Sequence, residues 1–225
     1  SRPFAPADPA ALPTKPWPRA HALRGGVRAV RAPRAAVYRW DTVAVVIGRG
    51  GRQSLELHRA AIARDGVPLY RRPGGGCAVV LDPGNLVVAV GLPLAGIGGI
   101  TSAFAAISAW LGGLLAACAV PAVEQRGVSD LVQGDRKVGG SCIWRTRGLL
   151  YYSTTLLVAP DLDLVERYLP HPPREPDYRQ GRAHRDFMAG LRARNGAADP
   201  DALAAALDDA AGRGLPALAR TTGCG

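Results

Sequence analysis

Two glycine-rich stretches and one lysine concentrate the residue types that could do chemistry. The first stretch is Arg71-Arg72-Pro73-Gly74-Gly75-Gly76. Three consecutive glycines remove every Cβ, so the backbone can approach a ligand closely. Successive N–H groups in such a turn can form an anion-binding nest, and the two guanidiniums add bidentate contacts to phosphate or carboxylate. Together they suit a nucleotide phosphate, although the spacing is neither that of a P-loop nor that of a dinucleotide fingerprint. A flexible hairpin turn would read the same way. The second stretch is Gly134-Asp135-Arg136-Lys137-Val138-Gly139-Gly140-Ser141. On a regular strand, Lys137, Gly139 and Ser141 share one face. Lys137 would then reach over a surface cleared by Gly139 towards a carboxylate or phosphate, with the Ser141 hydroxyl beside it. An exposed lysine on an edge strand is the plainer alternative.

The lysine gains weight from composition. Lys15 and Lys137 are the only lysines among 28 basic residues, in a chain heavy in Ala, Gly and Pro. Where arginine has replaced lysine almost throughout, a remaining lysine suits a position that needs a compact ammonium charge. The cysteines, Cys77, Cys118, Cys142 and Cys224, have no C-x-x-C spacing, so a zinc site or thioredoxin-like chemistry is not indicated. His21, His58, His171 and His184 lack metal-ligand spacing, and His171 and His184 are expected in a loop and on a helix surface. No metal site is expected.

These residues need elements to position them. Val43–Ile47 reads as a buried strand ending at Gly48. Ser54 offers an N-cap to a helix over Leu55–Arg64. Strands are expected at Val67–Arg71, Cys77–Leu81 and Leu86–Val90, with Asp82-Pro83-Gly84-Asn85 as a turn. Large apolar residues from Phe104 to Leu115 recur every three or four positions, which gives a helix over Ser102–Cys118 pressed onto a sheet. Val128–Gln133 and Arg136–Trp144 form a hairpin about Gly134-Asp135, followed by a strand over Leu149–Val158. Asp161 caps a short helix through Tyr168, and helices are expected over Arg182–Leu191 and Asp199–Ala211. Residues 1–35 read as a basic, Pro- and Arg-rich arm with slight strand character at Val27–Val30, and 36–225 as one domain. The order of elements indicates an α+β fold.

Length and charge narrow the function. A chain of 225 residues suits one domain that buries its own core. Most of the net charge of +10 lies in residues 1–40, where seven arginines and Lys15 face only Asp8. A salt-sensitive RNA contact through that arm is the reading from another functional class, but aromatics are only 6% of residues and no RNA-recognition aromatic pattern is present. Pro83 to Val123 carries no charge, yet Pro93, Gly96, Gly98 and Gly99 break it, which argues against a membrane span. A reducing, cytoplasmic setting and a monomer are expected.

The glycine run and the lysine stretch, taken together, resemble the lipoate–protein ligase and octanoyltransferase family, which shares its catalytic fold with biotin–protein ligases. Val45-Val46-Ile47-Gly48-Arg49, Gly84-Asn85, Val128-Ser129-Asp130-Leu131 and the loop His171-Pro172-Pro173-Arg174-Glu175-Pro176-Asp177-Tyr178-Arg179 extend the likeness over roughly 37–191. The resemblance implies a central mixed sheet flanked by helices. It implies ATP with Mg²⁺, lipoate or octanoate as substrate, and a lysine of a lipoyl-carrier protein as acceptor. Lys137 would be the catalytic lysine. Gly74, Gly75 and Gly76 would line the acyl-adenylate groove with Gly139, Gly140 and Ser141, Arg71 or Arg72 would meet phosphate, and Asn85 and Asp130 would lie near the nucleotide. Only about 30 residues follow Leu191, so no large C-terminal accessory domain is expected and a separate accessory protein could be needed. Tyr152-Ser153 stands where family members carry His-Gly. The transferase branch holds the acyl group on a cysteine. Cys77, beside the glycine run, and Cys142 are the candidates for that thioester, although strand alternation would put Cys142 on the face opposite Lys137.

Overall fold

The computed structural model describes residues 10–18, 32–93, 99–146 and 148–222. The expected strand at Val27–Val30 and Cys224 lie outside them. Twelve strands and six helices follow in order: β1 (Lys15–Pro16), β2 (Arg34–Arg39), β3 (Ala44–Ile47), α1 (Gln53–Glu56), α2 (Arg59–Arg64), β4 (Leu69–Arg71), β5 (Val79–Leu81), β6 (Asn85–Leu92), α3 (Ile100–Ala117), β7 (Val123–Arg126), β8 (Asp130–Gln133), β9 (Arg136–Thr146), β10 (Leu149–Leu157), α4 (Leu162–Tyr168), α5 (His184–Phe187), β11 (Arg192–Ala193), β12 (Gly196–Ala197) and α6 (Pro200–Thr221) among the described residues. The fold is α+β, as the sequence indicates.

Alternation along the strands builds four layers. The large sheet is antiparallel, in the order β2-β6-β10-β9-β8-β7. One of its faces presents Leu86, Val88, Val90, Leu150, Tyr152 and Leu156 to α3 and α6. Helix α3 is long and apolar enough to cross a membrane, but it buries Ala103, Phe104, Ile107, Leu111 and Leu115 in that layer. The other face packs Val87 and Tyr38 against Ala44, Val46, Tyr70 and Leu81 of a second, mixed sheet, β1-β4-β3-β5. The far side of this smaller sheet, Val45, Ile47, Leu69 and Val80, is covered by Leu57, just after α1, and by Ile62, Val165 and Tyr168 from α2 and α4.

Several elements depart from the sequence reading, each for a tertiary reason. The helix expected over 55–64 is broken at Leu57, which turns extended (φ −133°, ψ 136°) and sinks into the core. Arg52, not Ser54, precedes α1, and the Glu56 carboxylate accepts the N–H groups of Arg52 (3.0 Å) and Ala78 (2.8 Å), drawing α1 onto the loop after the glycine run. The helix expected over 182–191 is only one turn, because residues 188–189 run extended along β9, with the Ala189 N–H donating to the Lys137 carbonyl at 2.9 Å. Helix α6 outruns Ala211 to Thr221 despite Gly212, Gly214 and Pro216, since Leu218 is buried beside α3. Part of the N-terminal segment is docked: Lys15–Pro16 pair with β4, Gln53 holds the Leu12 backbone, and Trp17 stacks on Trp40 with ring centroids 5.4 Å apart.

Candidate active site

The site forms where β8 and β9 pass beside the glycine loop. Their register slips at Leu131/Val132: Leu131 pairs with Gly139, but Val132 pairs with Lys137. Val138 is the extra residue of a β-bulge, which re-aims the side chains before it. Val138 goes into the core. Lys137 is carried onto the face of Gly140, whose missing side chain leaves the space it occupies: a Cβ on Gly140 would lie 3.3 Å from Lys137 Nζ. The expectation that Lys137 shares a face with Gly139 and Ser141 is therefore corrected. A Cβ on Gly139 would meet Leu131 and the Thr155 carbonyl in the helix-side core, and Ser141 Oγ lies 2.7 Å from the Tyr152 hydroxyl on that side. The same bulge corrects Cys142, which lies on the Lys137 face.

Charge at the site is tightly apportioned. Lys137 Nζ pairs with Asp130 Oδ1 at 2.6 Å, both side chains largely buried. The Tyr178 hydroxyl donates to Asp130 Oδ2 at 2.8 Å. The Arg126 guanidinium lies 4.5 Å above the Tyr178 ring. Burial, then the Asp130 charge, hold the Tyr178 phenol well above its usual range, so it stays a donor. Arg179 sits nearby and is buried, and burial lowers its pKa. Its Nε faces the Arg182 carbonyl and Glu175, while Nη2 has no partner.

The glycine loop closes over this face. A Cβ on Gly74 would lie 2.6 Å from Cys142 Sγ, and one on Gly48 would lie 2.2 Å from the Gly76 carbonyl oxygen, so both contacts require glycine. Gly75 and Gly76 are exposed at the rim. The guanidiniums of Arg71 and Arg72 are spent on the loops themselves. Arg71 donates to the carbonyls of Gly48 (2.8 Å), Arg49 and Gly51, and Arg72 donates to those of Val46, Gly75 (2.8 Å) and Cys77 (2.8 Å). They shape the nest rather than stand free beside it.

The remaining candidates fall around this centre. Asn85 opens β6 on the same sheet face. It is fully buried, with Nδ2 on the Asp82 carbonyl and Oδ1 unpartnered. Burial pushes the Cys142 thiol up, away from the thiolate form. Cys77 points its thiol at the Arg174 carbonyl, 3.7 Å away. His184 is not a surface residue: it is buried beneath Pro170, its Nε2 is 3.2 Å from that carbonyl, and burial lowers its pKa. Among the described residues no group of three His, Cys, Asp or Glu side chains is placed to hold a metal ion. Sequence reasoning missed Glu56, Arg126 and the Asp82 carboxylate, which ties Gly84 N–H to Asp161 N–H. Only their tertiary partners reveal them.

The profile of the lipoyl protein ligase A/B catalytic domain matches residues 27–209, most of the chain. The chain belongs to this family. Solved structures share the fold. A bipartite lipoate protein ligase from Thermoplasma acidophilum superimposes with a TM-score of 0.71 at 22% identity, over 84% of this chain and 75% of the other. A lipoate-protein ligase A bound with ATP gives 0.65 at 24% identity, over 88% and 78%. LipL1 of P. falciparum, in complex with lipoate, gives 0.61 at 22%, over 82% and 50%. No curated protein sequence matches. In this lipoyl ligase-family chain the glycine loop, Asp130 and Lys137 thus lie together on one side of the large sheet.

Proposed function

We propose that the chain is an ATP-dependent lipoate–protein ligase. The observation that carries this reading is the Lys137 ammonium, held by Asp130 over Gly140 on the sheet face that the glycine loop covers, where burial keeps the Cys142 thiol away from its thiolate form. In the first step a carboxylate oxygen of lipoate or octanoate attacks the α-phosphorus of ATP. A P–O bond forms, the bond to the β-phosphate bridge breaks, and pyrophosphate leaves. In the second, the ε-amine of a carrier lysine attacks the acyl carbonyl. The amide forms, AMP leaves and the amine gives up a proton. An ammonium fixed in a partly buried site offsets the charge that builds on phosphate and carbonyl oxygen in both transition states. The loop N–H groups add donors. The buried, unpartnered Asn85 Oδ1 is an acceptor suited to a nucleotide, and Mg²⁺ enters with ATP as part of the substrate. The family match and the ATP-bound and lipoate-bound neighbours support the reading. The bipartite neighbour from T. acidophilum, described with its E2 lipoyl domain, supports a carrier domain as acceptor.

The test is intact-mass spectrometry of a lipoyl-acceptor domain incubated with the protein. One tube holds lipoic acid, ATP and Mg²⁺; the other holds octanoyl-carrier protein without ATP. A mass gain in the first alone is the expected outcome. A gain in the second alone replaces the ligase with a transferase and returns attention to Cys77 and Cys142.

A further inference from the structure

The segment His171–Arg179 lies inside the stretch matched by the family profile but has no part in the chemistry above. Its tip, a single 3-10 turn over Asp177–Arg179, brings Tyr178 across 48 residues of chain to Asp130. We propose that Tyr178 is a positioning residue for Lys137, acting through Asp130; this rests on the ligase reading.

The carboxylate of Asp130 is divided between two donors, Lys137 Nζ on Oδ1 at 2.6 Å and the Tyr178 hydroxyl on Oδ2 at 2.8 Å. A lysine is a point charge on a flexible four-carbon stem, so its direction is set by what it pairs with. The terminal torsion of an aspartate is broad and two-fold, so one donor does not fix the plane of its carboxylate. The second donor does. Tyr178 can serve because its ring is itself held, with the Arg126 guanidinium 4.5 Å from its centroid and the Phe187 ring 5.2 Å away. The same stretch of chain is fastened to the lysine strand a few residues on. Ala189 N–H donates to the Lys137 carbonyl, and Arg136 Nη2 donates to the carbonyls of Met188 (2.7 Å) and Arg185. The loop therefore grips both the backbone of Lys137 and the carboxylate that aims its ammonium. Without the phenol, the carboxylate turns and the ammonium follows, and a misplacement of about 1 Å in an active site costs up to roughly a hundredfold in rate.

The experiment measures pyrophosphate release from ATP and lipoic acid in a single turnover by the wild type, Tyr178→Phe, Asp130→Asn and the double variant. The phenylalanine keeps the ring under Arg126, so the fold is retained and Tm falls by a few degrees at most, far from the assay temperature. The expected result is a loss of about tenfold in rate for Tyr178→Phe, with KM for both substrates within about twofold, and no further loss when Tyr178→Phe is added to Asp130→Asn. A wild-type rate in Tyr178→Phe, a loss expressed in KM alone, or the same loss in the Asp130→Asn background overturns the proposal. A wild-type chain that releases no pyrophosphate and modifies no acceptor overturns the ligase reading, and this one with it.

Discussion

Replacing Gly74 with alanine tests whether the glycine loop is seated as described. The added Cβ would stand 2.6 Å from Cys142 Sγ and 2.9 Å from Cys142 Cβ. Carbon contacts are comfortable near 3.5–4.0 Å, so loop or strand must yield by about 1 Å. Neither moves freely. The Gly74 carbonyl accepts Arg49 N–H at 2.9 Å, and Arg72 pins the next turn through Gly75 and Cys77. Cys142 sits within β9, in register with Ser153 of β10. Overpacking of this kind costs about 1–3 kcal/mol. At roughly 2–4 °C per kcal/mol for a domain of this size, Tm should fall by about 2–12 °C. Because the loop is displaced over the sheet face that carries Lys137, acyl transfer measured well below Tm should fall about ten- to a hundredfold. Cys142→Ala alone should keep ligation, and in the double variant it should restore part of both losses, since only the sulfur is removed. A Gly74→Ala protein with wild-type Tm and rate, or a double variant with no recovery, would refute the reasoning.

Three further outcomes can be checked separately. Lys137→Ala should abolish acyl transfer with the fold intact, and Lys137→Arg should fail as well, because a planar guanidinium cannot occupy the space over Gly140 as an ammonium does. Burial lowers the pKa of His184, so below about pH 6.5 the unfolded chain takes up a proton that the folded chain resists. Wild-type urea midpoints should fall as pH drops from about 6.5, and His184→Gln should flatten that fall. The Asp65 carboxyl is held well below its usual range, chiefly by Arg167, with Tyr168 adding a donor. Its stabilisation is present above about pH 4 and lost as pH falls further, so Asp65→Asn should be less stable than wild type at pH 7, with the gap closing in acid.

Hydrophobic patterning was enough to find β3 to β6, β8 to β10 and α3, because those segments owe their state to buried apolar side chains; β1, β2 and β7 are missed, since β1 is two exposed residues, β2 has no fully buried residue and β7 buries only Val123. The α4 cap was legible for a local reason: Asp161 accepts the N–H groups of Asp163 and Leu164. The lysine motif was legible as chemistry but not as geometry. Nothing in Arg136–Ser141 announces that Val138 is skipped in pairing with β8, and that one residue decides which neighbours share Lys137's face. Arg71 and Arg72 show the converse. Their type suggests phosphate, whereas their positions give them to backbone carbonyls, a use that depends on loops folding around them. Glu56 had no signal, and Tyr178 stood out only as part of the family-like loop and not as a partner of Asp130, because Ala78 and Asp130 lie 22 and 48 residues away from them.

The docked segment around Trp17 also covers a sheet edge at which a second copy of the chain could pair. Without it, β4 would be the bare edge of the smaller sheet, offering the polar backbone of Leu69–Arg71 and the rings of Tyr70 and Trp40 to any passing strand. With it, the outermost strand is two residues long, carries an exposed lysine, and has Pro16 where an incoming chain would seek an N–H. Lys15, the lysine with no part in the chemistry, thus sits where a charge discourages edge-to-edge association, and a chain deprived of residues 10–18 should reveal its loss first as oligomers and only afterwards as a lower melting point.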